Sequence, residues 1–137
     1  MIDRSTQLKL VLAFTLLILL SSTPAEAKKD PIATIKPGES VTILILPWSQ
    51  GIAVDSVKPG RQPGKYSVIV SFTEDGEKRC LQAENMSKYI LYLDFAFQYQ
   101  DASPLAKRIP LFGGSSGSAC QDKLKPVSIS ILRLAAS

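Results

Sequence analysis

Residues 65–82 read KYSVIVSFTEDGEKRCLQ and give the clearest structural signal in the chain. Large apolar or aromatic residues occupy every second position of YSVIVSF, which is the pattern of a β-strand with one buried face. The dipeptide Asp75-Gly76 follows, and this pair is favoured in the two-residue turn of a β-hairpin. The stretch therefore predicts a hairpin whose return strand contains Cys80.

A second strand signal is KYILYLDFAFQYQ, residues 88–100, in which every odd-numbered position from 89 to 99 is apolar or aromatic. Six large apolar groups exposed together would exceed the patch that a soluble monomer usually shows, so we expect this face to lie in the core. The other face carries Tyr92, Asp94 and Gln98. Because it places an aromatic ring beside a carboxylate, these three residues are a candidate binding surface.

Three further stretches alternate in the same way: SVTILILP (40–47), GIAVDSV (51–57) and KPVSISILRL (125–134). Turn residues separate them, and helical spacing is nowhere convincing. The pattern predicts an all-β domain of about six to eight strands, either an antiparallel β-sandwich of immunoglobulin-like architecture or a small barrel. The resemblance to immunoglobulin domains is architectural only, since the single Trp48 precedes Cys80 and Cys120 instead of lying between them.

The connections between these stretches differ in character. Two prolines in residues 102–112 indicate an irregular segment or an edge strand. GGSSGS, residues 113–118, is expected to be a flexible connection. KPGRQPGK, residues 58–65, holds two Pro-Gly turns, so its Lys58, Arg61 and Lys65 are candidate anion-binding residues on a stiff loop. An ordinary solvated connection is the competing interpretation.

The first 27 residues have the features of a secretory signal peptide. A basic start precedes the apolar run LVLAFTLLILL, and Ala25 and Ala27 fit the small-residue cleavage pattern. The run is shorter than the roughly 20 residues that span a bilayer. We therefore expect cleavage before Lys28, a single domain over residues 28–137 with no membrane span, and a secreted or periplasmic location.

Two cysteines, Cys80 and Cys120, are present in the chain, and in an oxidising compartment we expect them to form a disulfide. The chain has no histidine, which removes Ser-His-Asp and Cys-His catalysis and the common zinc sites. No phosphate-binding glycine loop is present either. These observations argue against an enzyme, a metal site or a bound cofactor.

The net charge of +4 is mild and spread along the chain, which argues against a nucleic-acid partner. We expect a protein that binds another protein, through a sheet edge or through the segments 102–112 and 113–118. One alternative is a carbohydrate-binding module in which exposed aromatics such as Trp48, Tyr92 and Tyr99 stack on a sugar. A second alternative is a structural subunit of a surface assembly, joined by strand addition.

Overall fold

The computed structural model describes residues 30–137, and this part of the chain is built from β-strands without a helix. The strands are β1 (Ala33–Ile35), β2 (Ser40–Trp48), β3 (Gly51–Pro59), β4 (Ser67–Asp75), β5 (Lys78–Asn85), β6 (Leu91–Gln98), β7 (Leu105–Leu111), β8 (Ser116–Gln121) and β9 (Ser128–Ala136). Residues 31–137 form one compact unit. The predicted signal peptide, residues 1–27, lies outside the described residues. No helix capable of crossing a bilayer occurs in the described part.

The strands form two antiparallel sheets that pack face to face. One sheet has the order β1-β9-β6-β7 and the other has the order β3-β2-β4-β5-β8. A single core cluster draws buried side chains from both sheets, so the architecture is a sandwich and not a closed barrel. The all-β sandwich prediction is confirmed, although the described chain has nine strands instead of six to eight.

Strand β6 lies between β9 and β7 and supplies the centre of the core. Leu91, Leu93, Phe95 and Phe97 are fully buried, and the rings of Phe95 and Phe97 meet edge to face at 5.3 Å. The odd face of this strand is therefore core, as its alternation predicts. Burial of each such side chain contributes about 1.5–3 kcal/mol, which makes β6 a main source of the stability of the sandwich.

The predicted hairpin is formed by β4 and β5, and its turn follows from the local sequence. Asp75 lies opposite Lys78 in the paired strands, so the two turn residues are Gly76 and Glu77 and the turn lies one residue later than the predicted Asp75-Gly76 pair. Gly76 has a φ of +60°, a conformation that glycine adopts without strain. Cys80 of the return strand lies directly opposite Cys120 of β8, and the two are joined by a disulfide. The disulfide prediction is confirmed, and the bond is compatible with an oxidising extracellular environment.

The prediction that residues 113–118 form a flexible connection is partly wrong, because Ser116, Gly117 and Ser118 belong to strand β8. Small side chains are required there by packing: a Cβ on Gly117 would lie 3.1 Å from a methyl group of Leu111 in β7. Strand β7, which includes Pro110, is an edge strand, as its prolines predict. The glycine and serine run therefore permits β8 to pack closely against β7.

Candidate binding surfaces

The face of β6 predicted as a binding surface lies on the outside of the four-stranded sheet. Arg108 of β7 lies opposite Asp94 and donates to both carboxylate oxygens, from Nε at 2.6 Å and from Nη2 at 2.9 Å. The same guanidinium lies 5.7 Å from the centre of the Tyr92 ring. Gln98 donates from Nε2 to the hydroxyl of Ser130 at 3.2 Å. The carboxylate is therefore paired, and the aromatic face is covered by Arg108.

The Asp94–Arg108 pair changes the pKa of the Asp94 carboxyl group, and this change can be measured. Hydrogen bonds from Arg108 lower the pKa of Asp94, and Arg133 makes the smallest contribution. The stabilisation is present above the unfolded-state pKa of about 3.9 and is lost as the pH falls through the lower folded-state value. We expect Arg108→Gln to raise the pKa of Asp94 towards its ordinary value, as measured by NMR titration of the carboxyl carbon. The control Arg133→Gln should produce a much smaller shift, and equal shifts would contradict the assignment.

Lys58 and Pro59 of the predicted loop belong to strand β3, and the remaining residues, 60–65, cross the outer face of the five-stranded sheet. Thr42 of β2 donates its hydroxyl to Gly60 O and accepts a bond from Gln62 N, both at 2.8 Å. Arg61 then reaches over the fully buried Ile69 to pair with Glu84 of β5. Hydrogen bonding from Arg61 lowers the pKa of Glu84. The charge of Arg61 therefore holds this loop against the sheet.

The remaining predicted site residues do not join one surface. Lys58 is exposed on β3, opposite Thr42. Trp48 is exposed at the far end of β2, on the five-stranded sheet. Tyr92 belongs to the four-stranded sheet. Sequence reasoning thus identified the face of β6 correctly as a group, but it combined residues from opposite sheets.

A different surface emerges where β2, β5 and β7 end and where β4, β6 and β8 begin. Ten large hydrophobic side chains of the described residues are substantially exposed, and six of them lie at this end. We call these six the apolar end: Leu46, Trp48, Tyr66, Met86, Ile90 and Phe112. Exposed apolar side chains scattered singly are ordinary, but their concentration at one end indicates an interaction site.

A groove of about 370 Å³ opens within the apolar end. Its lining consists of Lys65, Tyr66, Met86, Ser87, Lys88, Gly113 and Gly114. Two backbone segments form its floor, because Gly114 N donates to Ser87 O at 3.0 Å. A Cβ on Gly113 would lie only 2.6 Å from Lys88 O, so this approach requires glycine. The groove is therefore built from three separate connections between strands.

Two lysines give the groove its charge. The Nζ atom of Lys65 lies 5.5 Å from the centre of the Tyr66 ring, and that of Lys88 lies 5.6 Å from the Tyr89 ring. Within residues 30–137, neither lysine has a carboxylate within 4.0 Å. No carboxylate of the described residues lines the groove. The site thus combines apolar walls with two positive charges that make no ion pair in the described structure.

The buried side chain of Asn85 connects the backbone segments that carry the groove residues. Its Nδ2 donates to Tyr89 O at 2.7 Å and to Leu111 O at 3.0 Å. Its Oδ1 accepts from Ser87 N at 3.0 Å and from the Ser87 hydroxyl at 2.6 Å. Asn85-Met86-Ser87 matches the N-glycosylation pattern, but the folded protein uses this amide to join the connections after β5 and β7.

Sequence reasoning named Lys65 as an anion-binding candidate and residues 102–112 and 113–118 as partner surfaces, but it missed Met86 and Lys88. These residues lie between strands, where alternation gives no information, and the break in AENMSK was the only local sign of a turn. Among residues 30–137, no three His, Cys, Asp or Glu side chains are grouped so that they could hold a metal ion. No protein-family model matches the chain, and neither a curated protein nor a solved structure matches it.

Proposed function

We propose that the protein is an exported, non-enzymatic β-sandwich that binds another protein through the apolar end. The observation that carries this proposal is that six of the ten exposed large hydrophobic side chains lie at one end of the described sandwich, Trp48 and Phe112 among them, and that the same end holds a groove lined by Tyr66 and Met86. Tryptophan, tyrosine, phenylalanine and methionine are enriched in protein interfaces, and large aromatic side chains often dominate their binding energy. The surface therefore has the composition of a protein-binding site.

Export is supported by two independent features. The amino-terminal pattern of a basic start, an apolar run and small residues before Lys28 is typical of a cleaved signal peptide. The disulfide between Cys80 and Cys120 is a kind of bond that persists in oxidising compartments. A secreted or periplasmic location would account for both the signal-peptide pattern and the disulfide.

The carbohydrate alternative loses the shared aromatic platform that it requires. Trp48 and Tyr92 belong to different sheets, and Arg108 lies over the Tyr92 ring. Tyr99 packs partly buried against the core, and this burial raises the pKa of its hydroxyl. A sugar ring would have to be held instead by Trp48 and Tyr66 of the apolar end, among side chains whose composition favours a protein partner.

A structural subunit joined by strand addition remains a second candidate because of one sheet edge. Strand β1 pairs with β9 only across Ile129–Ile131, so no described strand covers that side of residues 132–136. By contrast, the other edge of the same sheet carries Lys107 opposite Phe95 and also Pro110. An inward-facing charge and a proline discourage edge pairing. Strand addition would therefore occur beside β9.

Capture by immobilised protein tests the main proposal. We expect Trp48→Ala/Phe112→Ala to reduce recovery of a specific partner from the secreted or envelope fraction at least about tenfold, since truncating a dominant interface residue costs about 2 kcal/mol or more. The matched control is Leu124→Ala: Leu124 and Phe112 are both 58% exposed, but Leu124 lies at the opposite end. Equal recovery by the two variants, measured by quantitative mass spectrometry, would contradict the proposal.

A further inference from the structure

We propose that the groove of the apolar end takes an acidic segment of the protein partner. In this arrangement an apolar side chain of the segment contacts Tyr66 and Met86, and neighbouring carboxylates pair with Lys65 and Lys88. The inference rests on the proposed function and specifies the chemistry of its partner. It follows from the charge, the walls and the floor of the groove.

The charge of the groove is the first reason. Lys65 and Lys88 line it without a carboxylate among the lining residues. Glu84, the last carboxylate on β5 before the groove, is already paired with Arg61. The acidic hairpin tip, formed by Glu74, Asp75 and Glu77, lies at the opposite end of β4, about 27 Å from the start of that strand at about 3.4 Å per residue. An acidic segment is thus the complement that this end of the molecule lacks.

The shape of the groove is the second reason. Gly114 presents backbone without a side chain, and a Cβ there would meet open space, so an extended chain can approach this part of the groove closely. Met86 is unbranched and adapts its shape to different apolar groups. A flat bilayer would reach protruding side chains such as Trp48 but would not enter the concave groove between Met86 and Gly113. These features favour a peptide segment over a membrane surface.

The experiment uses labelled peptides whose apolar residues are identical and whose remaining positions are all Glu, all Gln or all Lys. By fluorescence anisotropy, we expect the wild-type chain to bind the Glu peptide at least about tenfold more tightly than the Gln peptide, with an affinity that falls as salt is raised. Lys65→Gln/Lys88→Gln should remove this preference. Lys65→Glu/Lys88→Glu should reverse it, so that the Lys peptide binds best.

The matched control is Lys36→Gln/Lys123→Gln, which removes two exposed lysines at the opposite end and should leave the preference unchanged. Equal affinity for the three peptides would overturn the acidic-segment inference, even if Trp48→Ala/Phe112→Ala still abolishes partner capture. Lysine-dependent sedimentation with phosphatidylglycerol vesicles, without binding of the Glu peptide, would also overturn it. Equal partner recovery by Trp48→Ala/Phe112→Ala and by Leu124→Ala would instead contradict the proposed function.

Discussion

Cys80→Ala/Cys120→Ala is expected to lower the free energy of unfolding by about 4 kcal/mol and the melting temperature by about 15 °C. The two cysteines are separated by 40 residues, and cross-linking them restricts the unfolded chain. The bond also joins β5 to the edge strand β8 where the two residues lie opposite each other. A domain of this size has a total stability of about 5–15 kcal/mol, so the loss would be a large fraction of it.

Urea unfolding followed by circular dichroism measures this effect. The wild-type chain in excess reductant is the control, because it removes the same cross-link without changing a side chain. Both samples should unfold at a similar, lowered urea concentration. A loss below about 1 kcal/mol in both would show that the unfolded chain is scarcely restricted by the bond.

The strands that the sequence predicts are those with regular alternation, even where an outer-face residue such as Ile69 of β4 is buried as well. In β4 and β6 the core-facing positions are large and apolar, so a one-residue slip would expose the whole set, and the pattern therefore specifies both the strand and its buried face. The Gly76-Glu77 turn is equally local, because its conformation depends on glycine at one position, although it lies one residue later than the predicted Asp75-Gly76 pair. Local physics is sufficient to predict these elements.

Strands β1 and β8 could not be predicted in this way. β8 reads SGSACQ, and its pairing depends on β5, on the disulfide and on close contact with β7. β1 has three residues, and its pairing partner is β9, almost a hundred residues further along the chain. In both strands, long-range contacts outweigh weak local preference.

The candidate sites show the same division between local and long-range information. Alternation correctly places Tyr92, Asp94 and Gln98 on the outer face of β6. It does not reveal that Arg108 lies opposite Asp94, because that depends on the register between β6 and β7. The groove is still harder to predict from the sequence, because its residues come from three connections that meet only when both sheets are packed.

Asn85→Ala is expected to destabilise the protein by about 3 kcal/mol, because it leaves the buried carbonyls of Tyr89 and Leu111 without their donor. The matched control is Ser87→Ala, which removes the bond from the hydroxyl to Asn85 Oδ1 and a longer bond that the hydroxyl accepts from Tyr89 N at 3.3 Å, and it should cost about 1 kcal/mol. Urea unfolding measures both. A similar small loss in the two variants would show that water replaces the Asn85 amide.

Asn85→Ala also tests whether Asn85 positions the groove residues, because the variant leaves every groove-lining side chain in place. Asn85 is buried and does not line the groove, yet it joins the segments that carry Lys88 and Gly113. If those segments depend on Asn85, Asn85→Ala should weaken binding of the Glu peptide at temperatures where circular dichroism shows a folded sandwich, and Ser87→Ala should weaken it less. Unchanged binding by folded Asn85→Ala would mean that the Gly114–Ser87 bond alone fixes the groove. A positioning role thus predicts loss of binding before loss of fold.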